Sequence, residues 1–411
     1  MKSDIQALMK KHDIASLLVT GRADHNPAMV YLTGGAHLTT ADILLKAGQK
    51  GMLFCNGMER EEAAKTGFDV QLYSQFPVET LLEETKGDRQ RTGILRYKKM
   101  FERAGIKSGK VALYGEKDLG TAYIQMAGLQ QLLPEVELVG NLENDVLMLA
   151  RETKDTNELA RIRNMAEVTQ QVVGNTADFL TSCQVKHDTL MKPDGTPLTI
   201  GEVKHKINLW LAERGAENPE GTIFAIGRDA GIPHSTGNNS DVITLGKTIV
   251  FDIFPCEQGG GYFYDFTRTW SLGYATDEVL QAYEQVHKIY FDLVKELKTG
   301  ERFSTYQEKT CKFFESHGHP TIMNQPDTNE GYVHSIGHGL GLNVHERPFS
   351  SMIMTPDHTI QPGSVFTIEP GLYYPDKGFG IRLEDTFVAL PDCSFERLSD
   401  YPLDLVLPVK Q

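Results

Sequence analysis

At 411 residues the chain is long for one hydrophobic core and suits two domains, either large enough to bury an interior of its own. Its 40% hydrophobic and 23% charged residues are ordinary for a globular protein in water, and a net charge of −14 argues against nucleic acid or an anionic membrane as the main partner. No apolar run approaches a membrane span, the first residues have amphipathic helix spacing without a signal-peptide stretch, and five scattered cysteines without a C-x-x-C pair read as reduced thiols in the cytoplasm.

Residues 1–150 alternate helix-like and strand-like segments, which predicts a separate α/β domain. A helix is expected over 4–12, then strands at 15–19, 43–45 and 52–55. A helix at 58–65, a strand at 70–73, a charged helix at 89–104 and a strand at 111–114 follow. The pattern changes near Leu147, and residues 151–411 form the second predicted domain. From Asp155 onward Leu159, Ile162, Met165, Val168, Val172 and Val173 recur at helical spacing. Thr199 and Glu202 form a capping-box pair ahead of Val203, Ile207, Trp210 and Leu211. A third helix is expected over 278–297, and a fourth opens at Thr305-x-x-Glu308 and stops before Gly318. Helices grouped against antiparallel hairpins make the fold class α+β.

The chemistry lies in those hairpins. The first carries Asp252 and Asp265 and turns through Pro255 to Gly261; the second carries Glu369 and Glu384 and turns through Pro375 to Gly378. Pairing residues symmetrically about each turn sets Asp252 near Asp265, and Glu369 near Glu384. Apolar flanks predict burial, and buried carboxylates facing one another repel unless positive charge intervenes. Only Arg268 and Arg382 lie close in sequence, so cations are the simplest remedy. Between the hairpins, His334, His338 and His345 are interleaved with Gly337, Gly339 and Gly341. No P-loop, nucleotide-binding G-x-G-x-x-G, G-x-S-x-G elbow or H-E-x-x-H is present. One imidazole with four carboxylates favours Mn²⁺, Co²⁺, Fe²⁺ or Zn²⁺, and Cys256 is a further candidate soft ligand. Two such ions ~3.5–4 Å apart could hold a bridging water and lower its pKa from ~16 toward ~7, which is the chemistry of amide hydrolysis.

These segments resemble the pita-bread metallopeptidases, the family of methionine aminopeptidase, prolidase, aminopeptidase P and creatinase. The resemblance rests on Phe-Asp252-Ile, Tyr-Asp265-Phe-Thr-Arg-Thr, His334-x-x-x-His338-Gly-Leu-Gly-Leu-x-Val-His345, Ile-Glu369-Pro-Gly-Leu-Tyr373 and Ile-Arg382-Leu-Glu384-Asp, in that order. Upstream, Gly231-Ile-Pro233-His234 and Arg151-x-x-Lys154 also match. It implies a pita-bread catalytic domain preceded by a smaller α/β domain, with two divalent metal ions, manganese first. Asp252, Asp265, His338, Glu369 and Glu384 would be the ligands. Glu369 would shuttle protons, His334 and His345 would contact the substrate and the tetrahedral intermediate, and His234, Arg382 and Tyr373 would position the substrate. The extra domain favours the proline-directed branch, Xaa-Pro aminopeptidase or Xaa-Pro dipeptidase, working as a homodimer through attack of a metal-bridging hydroxide on the Xaa-Pro bond. The alternatives are a metal-dependent hydrolase or lyase of this fold acting on a non-peptide small molecule, and a non-catalytic binding module. The thirteen-residue spacing of the two aspartates, wider than is common in the family, and Phe254-Pro255 after the first motif depart from the pattern near the pocket wall.

Overall fold

Hydrophobic alternation in the first 150 residues builds a six-stranded mixed sheet. The computed structural model describes residues 1–140, 145–352 and 358–409. They divide into two compact units, Met1–Arg151 with Gly259–Gly261, and Glu152–Gln258 with Tyr262–Gln411. The sheet of the first unit runs Asp69–Leu72, Met52–Cys55, Thr40–Lys46, Ser16–Arg22, Gly109–Glu116, Val136–Val139. Leu17, Leu18 and Val19 are all fully buried, which marks a strand covered on both faces. Helix Arg89–Arg103 is capped by Asp88, whose carboxylate accepts the Arg91 N–H, and buries Ile94, Tyr97, Met100 and Phe101.

Apart from short 3₁₀ turns, five elements here are beyond the sequence expectation: helices Pro27–Thr33, Val78–Glu84, Leu119–Leu132 and Val146–Arg151, and strand Val136–Val139. The third of these helices fully buries only Leu129, so no apolar stripe betrays it. Pro27–Thr33 is legible in hindsight from its punctuation, Asn26 as cap, Pro27 at the first position and Gly34 left-handed at φ 77°. The single helix expected over 58–65 is a 3₁₀ turn, Gly57–Glu59, followed by helix Arg60–Ala64.

The second unit opens on helix Thr156–Ser182, whose cap Asp155 and third residue Glu158 satisfy each other's backbone. Thr199 and Glu202 do the same for helix Ile200–Ala212. Helix Asp277–Glu296 buries Val279, Tyr283, Val286, Tyr290 and Leu293 on one face. The next helix is Ser304–Ser316, and the expected Thr305–Glu308 box does not form. Thr305 bonds back to Glu301 and Glu308 pairs with Lys312 one turn on, so local side-chain partners outcompete the cap.

Two antiparallel hairpins organise the strands. The first, Thr248–Ile253 with Phe266–Leu272, sits in a four-stranded sheet completed by the fully buried Thr222–Ile226 and by Val406–Leu407. Its register pairs Asp252 with Thr267, not with Asp265. The bridge between Cys256 and Phe263 keeps the same register, which puts the tip at Gly259 and Gly260, left-handed at φ 90° and 78°. The expected register is therefore two residues out. Because a strand repeats every two residues, Asp265 still shares a face with Asp252, diagonally placed.

In the second hairpin Ile368 pairs with Asp385 in one ladder and Gly371 with Arg382 in the next, a single continuous register. Glu369 and Glu384 face each other in the gap where Pro370 interrupts the ladder. The two hairpins join edge to edge: Thr267 and Glu384 exchange backbone hydrogen bonds, and the Thr269 hydroxyl donates to the Arg382 carbonyl while accepting its N–H.

Candidate metal centre

Each acidic residue stands at or beside a strand end. All are buried, with Asp252 7% exposed, Asp265 4%, Glu369 3% and Glu384 2%. His338 joins them from the glycine-interleaved segment. A side chain at Gly337 would come within 2.1 Å of the Thr367 carbonyl oxygen, and one at Gly339 within 2.1 Å of the Arg347 oxygen. The backbone can thus press His338 into the centre only because its neighbours lack Cβ atoms.

The His338 Nε2 lies 3.5 Å from Asp265 Oδ2 and 3.4 Å from Glu369 Oε1. Its Nδ1 is 3.1 Å from the Gly339 carbonyl oxygen and donates to it, which leaves Nε2 with a lone pair aimed at carboxylate oxygens. Acceptors therefore face acceptors. Ligand atoms of Asp265, His338 and Glu384 all lie within 4.8 Å of one another. Asp252 Oδ1, Asp265 Oδ1 and Glu384 Oε1 are buried without a hydrogen-bond partner. Unsatisfied anionic oxygens at this depth are costly, and a divalent ion is the group that fits them.

Without such an ion the electrostatics are severe. Burial, then repulsion from neighbouring carboxylates, pushes Asp265 and Glu384 well above the usual carboxylate range. Glu369 is pushed up to about 8, by burial first. Burial also drives the histidines down, His338 to about 3 and His334 to about 4, so both rings are neutral ligands or acceptors at physiological pH.

Hydroxyls that the sequence reading gave no role hold the acids in place. Thr267 donates to Glu384 Oε2 at 2.7 Å, and Thr367 donates to Glu369 Oε1 at 3.2 Å. Each threonine is two residues from an acid on the same strand, Thr267 from Asp265 and Thr367 from Glu369. That spacing was the available signal.

Around this floor His334 Nδ1 is 3.1 Å from Glu369 Oε2, and its Nε2 is 3.1 Å from Nε2 of His234. The ring of His345 stands 4.3 Å from that of His338. Arg382 donates to Asp252 Oδ2 at 2.6 Å, to the Tyr373 hydroxyl at 3.0 Å, to the Pro233 carbonyl at 3.1 Å and to Thr267 Oγ1 at 3.2 Å. A cavity of about 240 Å³ collects the five expected ligands with His234, His334, His345 and Arg382, and adds Glu220, Ile223, Thr236, Phe254 and Val344.

Three expectations change. Tyr373 is fully buried and does not line the cavity; its hydroxyl accepts from Arg382 at 3.0 Å and its ring stands 6.3 Å from that of His334, so it backs the wall rather than forming it. Arg268 turns away from the acids to Asp385, at 2.9 Å, and to nearby carbonyls. Cys256 is buried beside Glu217, 3.6 Å from its carboxylate, and is not part of the cavity wall. No disulfide forms; four of the five cysteines are buried thiols and Cys393 is exposed.

Buried carboxylates around one imidazole, braced across two joined hairpins, make the centre of a metal-dependent hydrolase. The chain belongs to metallopeptidase family M24, whose model matches residues 160–390. It is 27% identical over 400 residues to the Xaa-Pro dipeptidase of Pyrococcus horikoshii, covering 97% of this chain and 96% of that one. It is 26% identical to the Xaa-Pro dipeptidase of Lactobacillus delbrueckii subsp. lactis, covering 87% and 86%. Among solved structures, the Xaa-Pro dipeptidase from Bacillus anthracis superposes with a TM-score of 0.75 at 20% identity, covering 98% and 99% of the two chains. The X-Pro aminopeptidase from Thermotoga maritima gives 0.71 at 24%, covering 95% and 97%. The fold is the pita-bread fold with a preceding α/β domain, and divalent metal ions are the family's cofactors. No helix among the described residues is long and apolar enough to cross a membrane.

Proposed function

We propose that the chain is a dinuclear metallopeptidase that hydrolyses the bond between a first residue and a following proline, in Xaa-Pro dipeptides or at the N-terminus of peptides. The observation that carries this reading is the lone pair of His338 Nε2 facing Asp265 and Glu369, beside three buried carboxylate oxygens, of Asp252, Asp265 and Glu384, that have no hydrogen-bond partner. The names of the similar dipeptidases and aminopeptidases support the proline-directed substrate. Asp252, Asp265, His338, Glu369 and Glu384 hold the ions, and oxygen donors with a single imidazole suit manganese ahead of cobalt, zinc or iron. When bound, the ions supply an activated water and polarise the scissile carbonyl.

The remaining work falls to the protein. Glu369, whose buried carboxyl holds a proton readily, takes one from the attacking water and passes it toward the leaving prolyl nitrogen. His334 touches Glu369 on one side and His234 on the other, and so fixes the carboxylate's orientation while facing the substrate. His345 stands beside His338 at the rim and is placed to donate to the tetrahedral oxyanion. Arg382, backed by Tyr373, orients Asp252 and has one N–H left for a substrate carboxylate. The cavity of about 240 Å³ is small beside typical ligand pockets of ~300–1,000 Å³, which favours dipeptide-sized substrates. The reading extends to a catalytic domain over 151–411 after an N-terminal domain over 1–150, a homodimer in the cytoplasm, and no nucleic-acid or membrane partner.

The test compares rates on an Xaa-Pro dipeptide and an Xaa-Pro tripeptide, with elemental analysis of the purified protein. Two equivalents of metal and faster cleavage of the dipeptide are expected. A metal-loaded protein that leaves a broad Xaa-Pro panel intact is instead a hydrolase or lyase of small molecules.

A further inference from the structure

Beyond the metal cluster, the cavity wall is nearly free of net charge. Ile223, Phe254 and Val344 are apolar, Thr236 is neutral, and the charge of Arg382 is paired with that of Asp252 at 2.6 Å. The one wall carboxylate left is Glu220. No hydrogen bond or ion pair reaches it among the described residues, and the residue is exposed. Glu220 and His345 both line the cavity.

Glu220 is presented by a braced turn. Gly221, left-handed at φ 83°, donates its N–H to the Asn218 carbonyl across Pro219 and Glu220. The Asn218 side chain ties that turn to Asn208 on one flank and Thr222 on the other. A carboxylate with no partner of its own, held by a rigid turn at the mouth of an otherwise uncharged wall, is complementary to a positive group on the substrate.

We propose that Glu220 selects substrates whose first residue carries a cationic side chain, lysine or arginine. This rests on the peptidase reading above and names the substrate class it leaves open. The α-ammonium of the same residue is the other positive group a peptide can offer. It lies two bonds from the scissile carbonyl carbon, however, and so belongs at the metal floor. Glu220 makes no contact with that cluster, whereas an outstretched lysine or arginine side chain extends several bonds further toward the rim.

The experiment measures kcat/KM for Lys-Pro and for norleucine-Pro, which shares the stem and the α-ammonium but lacks the side-chain charge. Wild type is expected to favour Lys-Pro by about tenfold, the worth of one charge-assisted hydrogen bond at a solvated rim, and by less as salt rises. In Glu220→Gln the ratio should fall to near one, and in Glu220→Lys it should invert. An unchanged ratio in both variants overturns the proposal. A loss shared equally by the two substrates also overturns it, because Glu220 then reads the α-ammonium. If neither proline dipeptide is cleaved but Lys-Ala and norleucine-Ala are, the proline reading fails, and the ratio on that second pair still decides the role of Glu220. For a protein that cleaves none of the four, the same ratio is taken from dissociation constants by calorimetry, with the same outcomes for and against.

Discussion

Lys154 and Glu346 form an ion pair that water does not reach: the two side chains are each 1% exposed and 3.4 Å apart. Glu346 also accepts the backbone N–H groups of Leu342, at 2.9 Å, and Asn343, at 3.0 Å, and so fixes the turn between His338 and His345. Replacing Lys154 by alanine takes the ammonium away from a carboxylate that stays in the interior. Breaking a buried pair from one side costs about 3–5 kcal/mol, and at ~2–4 °C per kcal/mol for a large domain the midpoint should fall by roughly 6–20 °C. Removing both charges together should cost far less. The double variant Lys154→Met with Glu346→Gln is therefore expected to recover most of the loss, a coupling energy that chemical denaturation of the four proteins of the cycle measures directly. If Lys154→Ala lies within ~1 kcal/mol of wild type, or the double variant is as unstable as the two single losses summed, the pair is not the brace described here.

Other outcomes follow from the centre itself. His338→Ala should keep the wild-type circular dichroism spectrum but lose bound metal, and its rate should fall by more than the ~10–100-fold typical of losing a group one step behind the ligands. Full activity in that folded variant would refute the site. Thr267→Val removes the donor to Glu384 Oε2 with little change of volume; metal affinity should weaken ~10–100-fold in a competition titration, and unchanged affinity would show that the hydroxyl is not needed. Stripped of metal, the protein should lose stability as pH rises. The carboxyl of Glu369, pushed up to about 8 in the fold, keeps a proton that the unfolded chain releases from about pH 4.5, so the stabilisation is complete below that pH and gone above about 8. Thermal midpoints after chelation, taken between pH 5 and 8, should decline and be restored by divalent ions; a flat profile would contradict the buried acid cluster.

Much of this site could be read from the chain because strands repeat every two residues. The acids, Arg382 and the apolar flanks identify one face of each hairpin without any coordinates, and an error of two residues in register leaves that face unchanged. That is why misplacing the tip of the first hairpin by one residue still brought Asp252 and Asp265 to one centre. Long-range partners were not legible. Nothing local says that Thr267 reaches Glu384, that Lys154 meets Glu346 or that Arg268 prefers Asp385, since those choices depend on which edges dock. Glu220 escaped notice for the opposite reason: it sits in an ordinary polar turn, and only the cavity wall opposite gives it meaning. Helix Leu119–Leu132 was invisible because it has no apolar stripe to find.

The seam where Thr267 meets Glu384 joins positions 117 residues apart. Neither hairpin alone owns enough donors to grip a cation, so the chelate is born only when both halves of the catalytic unit have found each other. Divalent ions then act as a late clasp on the assembled molecule. Two separately produced fragments, cut between the hairpins, should bind metal poorly when apart and tightly once mixed, making ion uptake a reporter of that union.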